Sequence, residues 1–488
     1  MAVSLLGDGV FIVAVAWQAY AIADRPSALA YVGLAASLPQ VVMLLIGGAV
    51  SDRIPRRTVL FWADVARLVA VGALAALAIA GDLRLWELYL VSALIGTATA
   101  FASPALDALV PQLVPEGELI QANAVEQFVR PAAVQLAGPA LGGLAVATMG
   151  PKGAFSFDAL TFAFSAVCVR RMTRLPGRSV DDSRVSLRHD VWEGLRYVRG
   201  HVWLWGTFVS ATFTYLLFIG PTQVLLPYLV RNGLHQGAFT YGAVLAVGGV
   251  GALVGAVMMG RARQPRRPVT WVYAWWTVAT LAVAGYGLAT HAWGLALAAL
   301  VVNGGEAVGA VVWGTLKQRR VANSMLGRVS SIDWFVSTAL LPLSYALTAP
   351  VAHALGARTT LFLAGTVGAA VTLGFLFVPG MRDGERSEEP RSADVVPVGD
   401  VSDDVADDLS ADDGGSATTS PGSTAGAMDP RPAVIGPLPF DLCMASLYQR
   451  LDDLERDLEI RITAAVAELR AVQLVQRPGA TPLATDRR

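Results

Sequence analysis

The chain has 488 residues, of which 54% are hydrophobic and only 15% are charged, and its formal net charge is −1. Soluble domains carry about 25% charged residues. With a mean hydropathy of +0.52, the apolar surface is too large for one aqueous core, which excludes an ordinary soluble globular protein.

Apolar stretches recur along the first 378 residues. A stretch of about 20 residues rising 1.5 Å per residue crosses a hydrocarbon core of about 30 Å. We therefore predict an all-α membrane protein with twelve transmembrane helices, at 2–23, 28–50, 58–80, 85–105, 122–147, 153–171, 202–226, 238–260, 269–289, 292–314, 328–350 and 355–378. The first stretch has no basic region before it, so we expect it to be an uncleaved insertion signal.

The basic residues of the predicted loops are distributed unevenly. If the N-terminus is cytoplasmic, the inward loops hold 19 Lys and Arg residues and the outward loops hold five. Positive charge collects on the cytoplasmic side of multi-pass proteins. This bias favours an even number of helices and a plasma-membrane protein with both termini in the cytoplasm.

The longest internal loop divides the helices into two sets of six, which predicts two pseudo-symmetric six-helix bundles at 1–171 and 202–380. The loop between them, 172–201, is expected to be cytoplasmic. Its apolar residues Leu187, Val191, Leu195 and Val198 recur at helical spacing among charged residues, which indicates an amphipathic helix on the membrane surface.

Beyond the last predicted span, the composition changes abruptly. Residues 381–435 are rich in Asp, Ser, Gly and Pro, so we expect an acidic, disordered linker. Leucines at near-heptad spacing then predict a cytoplasmic amphipathic helix at 436–476, followed by a disordered tail at 477–488. This helix either self-associates as a coiled coil or stands alone, and the pattern does not separate the two.

Ionisable residues inside membrane spans are costly and are therefore candidate functional residues. Counted from the cytoplasmic ends, Arg130 and Glu306 lie at similar depth, and Asp8 and Asp333 lie nearer the inner face. We hypothesise that Glu306 carries the coupling proton, with Asp8 as the second choice, and that Arg130 is its counter-ion or a substrate anchor. The alternative is a static ion pair or a snorkelling side chain.

Other intramembrane residues take lesser roles. Asp64 and Arg67, three residues apart, are expected to form a structural pair. Gln127 and Asn303 are candidate lining groups of a cavity for a flat or amphipathic compound, together with several aromatic residues. The two cysteines, Cys168 and Cys443, predict neither a disulfide framework nor a metal site.

A basic turn follows the second span, with Gly48, Asp52, Arg53, Arg56 and Arg57 in the stretch Gly48-Ala-Val-Ser-Asp-Arg-Ile-Pro-Arg-Arg57. It resembles the G-x-x-x-D-R-x-G-R-R signature of the major facilitator superfamily, although Pro55 replaces the second glycine. The resemblance implies a gating latch, in which Asp52 meets the start of the eleventh helix and the arginines pair with acidic groups. A positive-inside anchor is the simpler alternative.

The fifth span contains Gly138, Pro139, Gly142 and Gly143 in the order Gly-Pro-Ala-Leu-Gly-Gly. This stretch resembles the G-P-x-x-G-G signature of exporting members of the same superfamily. Proline inside a helix removes one backbone hydrogen bond and bends it, and glycine permits close helix approach. The eighth span offers a glycine surface for that approach, at Gly248, Gly249, Gly251 and Gly255. Generic packing without directional meaning is the alternative.

Further stretches resemble the enterobactin-exporter and macrolide-efflux branch, over about residues 2–380: Leu6-Gly7-Asp8, Ser103 to Pro111, Gln121 to Ala124 and Leu326 to Ser331. The chain departs from that branch at its start, where relatives have a further helical turn before Leu6.

Together, these features predict a secondary transporter that exports a small hydrophobic or amphipathic compound in exchange for protons. Its expected partners are that compound, protons and the lipid bilayer, with no nucleic acid. No Walker phosphate loop, nucleophile–base grouping or metal cluster is visible in the sequence, so we predict no cofactor and no enzymatic activity. A nutrient uptake transporter of the same fold, and a membrane scaffold or sensor acting through its C-terminal helix, are the alternatives.

Overall fold

The computed structural model describes residues 2–113, 128–172, 187–262 and 265–386, and within these ranges it leaves aside the side chains of 45–53, 107–108, 110–113, 187–191, 323–324, 384 and 386. The candidate Gln127 lies outside the described residues. So do the linker beyond residue 386, the predicted helix at 436–476 and the tail.

The described residues form helices joined by short turns. In chain order they are α1 (Ala2–Ile22), α2 (Pro26–Arg53), α3 (Arg56–Ala80), α4 (Leu85–Leu113), α5 (Phe128–Arg171), α6 (Leu187–Arg199), α7 (Val202–Tyr228), α8 (Ala238–Arg261), α9 (Pro268–Leu288), α10 (Ala292–Arg320), α11 (Asn323–Ala339), α12 (Leu341–Leu355), α13 (Ala357–Phe375) and α14 (Asp383–Arg386). Within the described ranges, ten helical stretches are long and apolar enough to cross a membrane.

Helix α5 is interrupted at Gly150, which has φ 73° and ψ 174°. These angles are accessible almost only to glycine, and Pro151 follows directly. The break falls between our predicted spans 122–147 and 153–171. The 44-residue helix thus contains two helical segments that meet at Gly150.

The span predicted as a single helix at 328–350 is two helical segments. They meet at Leu340, which has φ −94° and ψ 3°. Pro342 lies one turn after Thr338 and cannot donate the backbone hydrogen bond that would continue α11. The interruption has the same cause as the bend that we predicted at Pro139.

At Pro139 itself, the helix widens rather than breaks. Residues Ala132–Ala137 form a π-helical stretch that leads directly into Gly138. One extra residue in a turn accommodates a proline whose missing N–H and bulky ring disrupt the regular pattern. A second π-helical stretch, Leu229–Gly233, follows Pro227 at the end of α7.

The helices pack in two groups in chain order. Within α1–α5, α1 and α3 pack on α5, and α2 packs on α4; within α7–α13, α8 and α9 pack on α10, and α7 and α9 pack on α13. The groups meet through α5 with α8, α2 with α12, and α1 with α7. We call them the N-terminal and C-terminal groups.

Helix α6 lies between the two groups in sequence and packs on the C-terminal group, against α7 and α11. Gly194 faces Arg328 and Ile332, and Val198 is buried, whereas Trp192 is 69% exposed. The segment thus forms a helix with one packed face and one exposed face. Its placement on a membrane surface stays a prediction.

Glycine sets how closely α8 and α10 approach. A Cβ on Gly251 would lie 3.0 Å from Leu300 Cα, which is closer than nearly all side-chain contacts, whereas nothing lies within 4 Å of a Cβ on Gly260 of the same helix.

We expect Gly251→Leu to cost about 1–3 kcal/mol of the free energy of unfolding through overpacking. Fluorescence-detected melting of the purified protein should show a clearly lower midpoint for Gly251→Leu. Gly260→Leu is the matched control, and equal midpoints for the two variants would contradict the packing.

Candidate functional site

Three contacts join the ends of α1 and α7, which belong to different groups. The buried Tyr20 hydroxyl donates to the Val224 carbonyl at 2.6 Å. The Asn232 amide lies 2.7 Å and 2.8 Å from the two carboxylate oxygens of Asp24. The guanidinium of Arg231 lies 5.5 Å from the ring centroid of Trp17. We call these the closing contacts.

Glycines bring helix α5 close to two of its neighbours, α1 and α8. A Cβ on Gly138 would lie 2.6 Å from Gly9 Cα on α1, and a Cβ on Gly143 would lie 3.0 Å from Gly242 Cα on α8. The predicted motif therefore places α5 between α1 and α8. Gly242, which we did not single out from the sequence, is the partner of Gly143.

The predicted glycine surface of α8 is divided between two neighbours. Gly249 faces the backbone of Gln135 and Leu136 on α5, whereas Gly251 and Gly255 face α10. Only part of that surface therefore serves the contact between the groups. A glycine repeat predicts close packing but does not specify which neighbouring helix it faces.

An apolar cavity of about 180 Å³ lies between the two groups. It is below the closing contacts, which means nearer to the N-terminal end of α1. Its wall includes residues of α1, α2 and α4 from one group and of α7, α8 and α12 from the other, among them Phe11, Val15, Ser92, Gln223, Tyr241 and Tyr345. The Ser92 hydroxyl is buried without a hydrogen-bond partner. A buried polar group of this kind calls for a partner from water or a ligand.

The intramembrane charges of the N-terminal group surround α5. Asp8 lies within electrostatic range of Arg67, Asp64 and Arg130. Asp158, which is 1% exposed, accepts a hydrogen bond from Thr161 at 3.3 Å. We did not identify Asp158 from the sequence, although a carboxylate inside a predicted span was the signal that identified the others.

Asp64 and Arg67, which we expected to form a structural pair, lie within electrostatic range of each other, and each also binds a neighbouring helix. Ser165 of α5 donates to Asp64 at 2.7 Å. Arg67 donates to Thr99 of α4 at 2.8 Å and lies 5.5 Å from the ring centroid of Phe162. Both residues thus fasten α3 to its neighbours.

Glu306 and Asp333 belong to the C-terminal group. The Tyr215 hydroxyl donates to Glu306 at 3.1 Å, and Asp333 lies within electrostatic range of the same tyrosine. Asn303 donates to the Ala299 carbonyl of its own helix and packs on Gly248, so it stabilises the contact of α8 with α10. The structure thus places Asp8 near Arg130 in the N-terminal group, and Glu306 near Tyr215 in the C-terminal group.

The basic turn after α2 is described in part. Gly48, Asp52 and Arg53 belong to the end of α2, where side chains lie outside the described set. Arg57 donates to the Val169 carbonyl at 2.9 Å and also to the Arg170 carbonyl, where a cation is favoured by the helix C-terminus. Arg56 begins α3. The predicted latch between Asp52 and the eleventh span stays a prediction.

The fold, with ten helical stretches in the described residues that are long and apolar enough to cross a membrane, is that of a multi-pass membrane protein. A family model described as transmembrane secretion effector matches residues 1–377. The chain therefore belongs to this family of the major facilitator superfamily.

Relatives include efflux proteins. The chain is 27% identical to the multidrug efflux pump Tap of Mycolicibacterium fortuitum, over 79% of this chain and 95% of that protein. It is 22% identical to macrolide efflux protein A of Streptococcus pyogenes, over 75% and 91%. It is 32% identical to an uncharacterized MFS-type transporter of Sinorhizobium fredii, over 50% of this chain and 60% of that protein.

Solved structures show the same fold. A bacterial homologue of the iron transporter ferroportin in an inward-facing state has a TM-score of 0.56 at 16% identity, covering 77% of this chain and 96% of that one. A D-xylose–proton symporter has a TM-score of 0.57 at 16% identity, covering 78% and 97%. At this identity, the likeness carries the fold and not the substrate.

We expect Asn232→Asp to weaken the closing contacts, because two carboxylates would then face each other where an amide now donates to Asp24. In a Ser92→Cys background, an impermeant thiol reagent added on the Asp24 side of the membrane should label the cavity several-fold faster. Asp24→Asn retains polar pairing and is the control. Unchanged labelling in Asn232→Asp would show that these contacts do not close the cavity.

Proposed function

We propose that this transporter exports a small hydrophobic or amphipathic compound by alternating access, in exchange for protons. The observation that carries the proposal is the apolar cavity between two groups of helices that meet above it through the closing contacts. Efflux relatives and the Gly138–Gly143 motif support the outward direction.

The proposal includes twelve crossings in two bundles of six. The ten spans become eleven when α5 is counted as two segments that meet at Gly150, and α9 (Pro268–Leu288) adds the twelfth. Its aromatic residues, including Trp271, Trp275 and Trp276, make α9 less apolar by composition but suit an intramembrane helix. With the basic turns in the cytoplasm, both termini are cytoplasmic and the closing contacts face outward.

Alternating access gives the closing contacts a role. Above the cavity, α1 and α7 bind each other across the groups. At the opposite end, Arg57 binds the end of α5 within the N-terminal group, and Arg328 binds Glu193 of α6 at 3.1 Å. In the proposed cycle, the closing contacts hold their end of the molecule shut until one bundle rocks against the other.

Proton coupling requires a carboxylate whose surroundings change during the transport cycle. Glu306 is our first choice because its hydrogen-bond donor, Tyr215, lies on another helix of the same group, so a rearrangement of α7 against α10 within that group would alter its proton affinity. Asp8 is the second choice, because it shares electrostatic range with Arg130, Arg67 and Asp64. In this scheme Arg130 is the counter-ion of Asp8.

Nutrient uptake remains the alternative within the same fold, since a D-xylose–proton symporter is among its structural neighbours. We also propose that the helix predicted at 436–476 mediates self-association. The proposed export mechanism depends neither on uptake nor on self-association.

The test is accumulation of a radiolabelled macrolide, and of a panel of lipophilic compounds, in everted membrane vesicles with an imposed proton gradient. We expect accumulation that collapses with the gradient, and we expect Glu306→Gln to lower it at least about tenfold, the loss typical of a removed proton-transfer group. The matched control is Glu87→Gln, at the surface end of α4. Gradient-independent accumulation would refute proton coupling, and full activity in Glu306→Gln would refute Glu306 as the coupling residue. Accumulation in intact cells instead would indicate uptake.

A further inference from the structure

A compact ion-binding arrangement lies near the cytoplasmic end of the C-terminal group. Trp313 Nε1 donates to Asp333 Oδ2 at 3.0 Å, and Lys317 Nζ forms an ion pair with the same oxygen. Lys317 Nζ also lies 5.4 Å from the Trp313 ring centroid. An ammonium thus occupies a position defined by one carboxylate oxygen and one indole ring, the two groups that bind organic cations.

The indole is held in place by other aromatic rings. The ring centroids of Trp203, Phe208 and Trp276 lie 5.8, 6.3 and 6.3 Å from that of Trp313, at interplanar angles of 74°, 83° and 58°. None of these rings stacks in parallel on Trp313. Gly309 makes room for the Trp276 indole, whose buried Nε1 has no hydrogen-bond partner.

The side chains of Lys317 and Asp333 are 14% and 17% exposed, so the ion pair is partly open. Part of the Asp333 side chain is therefore open to solvent while the helices remain folded. Trp313 itself is buried and forms a fixed wall behind the pair. Lys317 contributes a flexible side chain to the arrangement, because its ammonium ends a four-carbon stem.

A lysine at position 317 is unusual for this sequence. Only two of the 37 basic residues are lysine, Lys152 and Lys317. Arginine would bind Asp333 through a rigid, bidentate fork, whereas the lysine ammonium is a compact charge on a flexible stem. A lysine can therefore leave the carboxylate more readily than an arginine at the same position.

We propose that Asp333 and Trp313 form an entry site for lipophilic organic cations, and that the Lys317 ammonium is a tethered competitor for it. An incoming cation takes the place of the ammonium on the carboxylate and the indole, and Lys317 swings towards water. This inference rests on the proposed function, in which compounds enter from the cytoplasmic side, and it names amphipathic amines and other organic cations as a substrate class.

Tetraphenylphosphonium, a permanent lipophilic cation, tests displacement directly on the unmodified protein. With only two lysines, mass spectrometry after treatment with an amine-acylating reagent reports Lys317 relative to Lys152 as an internal reference. An ammonium held by a carboxylate does not react, and a released amine does. We expect saturating probe to raise the relative acylation of Lys317 several-fold. Reduced or unchanged acylation would overturn the proposal, because the probe would then cover Lys317 or bind elsewhere.

Binding of radiolabelled tetraphenylphosphonium to purified variants gives the second measurement. Removing the competitor with Lys317→Met should lower the Kd about tenfold, because more of the protein is then ready to bind. Lys317→Arg should raise it, and Lys152→Met should leave it unchanged. Equal Kd values for the two Lys317 variants would refute the competitor role. Because both measurements use purified protein, displacement without transport in vesicles would count against the proposed function alone.

Discussion

The structure depends on the close approach of backbones on either side of α5. Gly138 meets Gly9 of α1, and Gly143 meets Gly242 of α8, at distances that no side chain would allow. Without water to compete, van der Waals packing between helices replaces the hydrophobic effect as the source of stability in lipid. The ends of α1 and α7 are joined by the Tyr20 hydroxyl, which donates to the Val224 carbonyl, and beside it Asp24 and Asn232 bind across the groups.

Charge inside the membrane part is arranged around this packing. In the N-terminal group, Asp64 and Asp158 accept hydrogen bonds from hydroxyl groups of α5. In the C-terminal group, Glu306 is bound by Tyr215 and Asp333 by Lys317. Glu306 and Asp64 accept hydrogen bonds from their own group, whereas Asp24 accepts from Asn232 of the other group. Relative movement of the groups therefore separates Asp24 from Asn232 and leaves the hydrogen bonds within each group in place.

The sequence was sufficient for the membrane class, the family and most helix positions, because apolar length and glycine or proline motifs act locally. It did not predict the interruption at Leu340, although Pro342 was visible, since proline is often tolerated within membrane helices. The pairing of side chains was harder still. Asp64 and Arg67 were predicted as partners from their spacing and lie within electrostatic range of each other, but their hydrogen bonds go to hydroxyl groups on neighbouring helices. Such partners depend on how helices face each other, which periodicity does not encode.

The most direct test is a reversible cross-link across the closing contacts, with Asp24→Cys and Asn232→Cys introduced after replacement of Cys168 and Cys443 by serine. The account predicts that disulfide formation stops export and that reduction restores it, because the two groups must separate at this end during each cycle. Export at the full rate by the cross-linked protein would contradict the account.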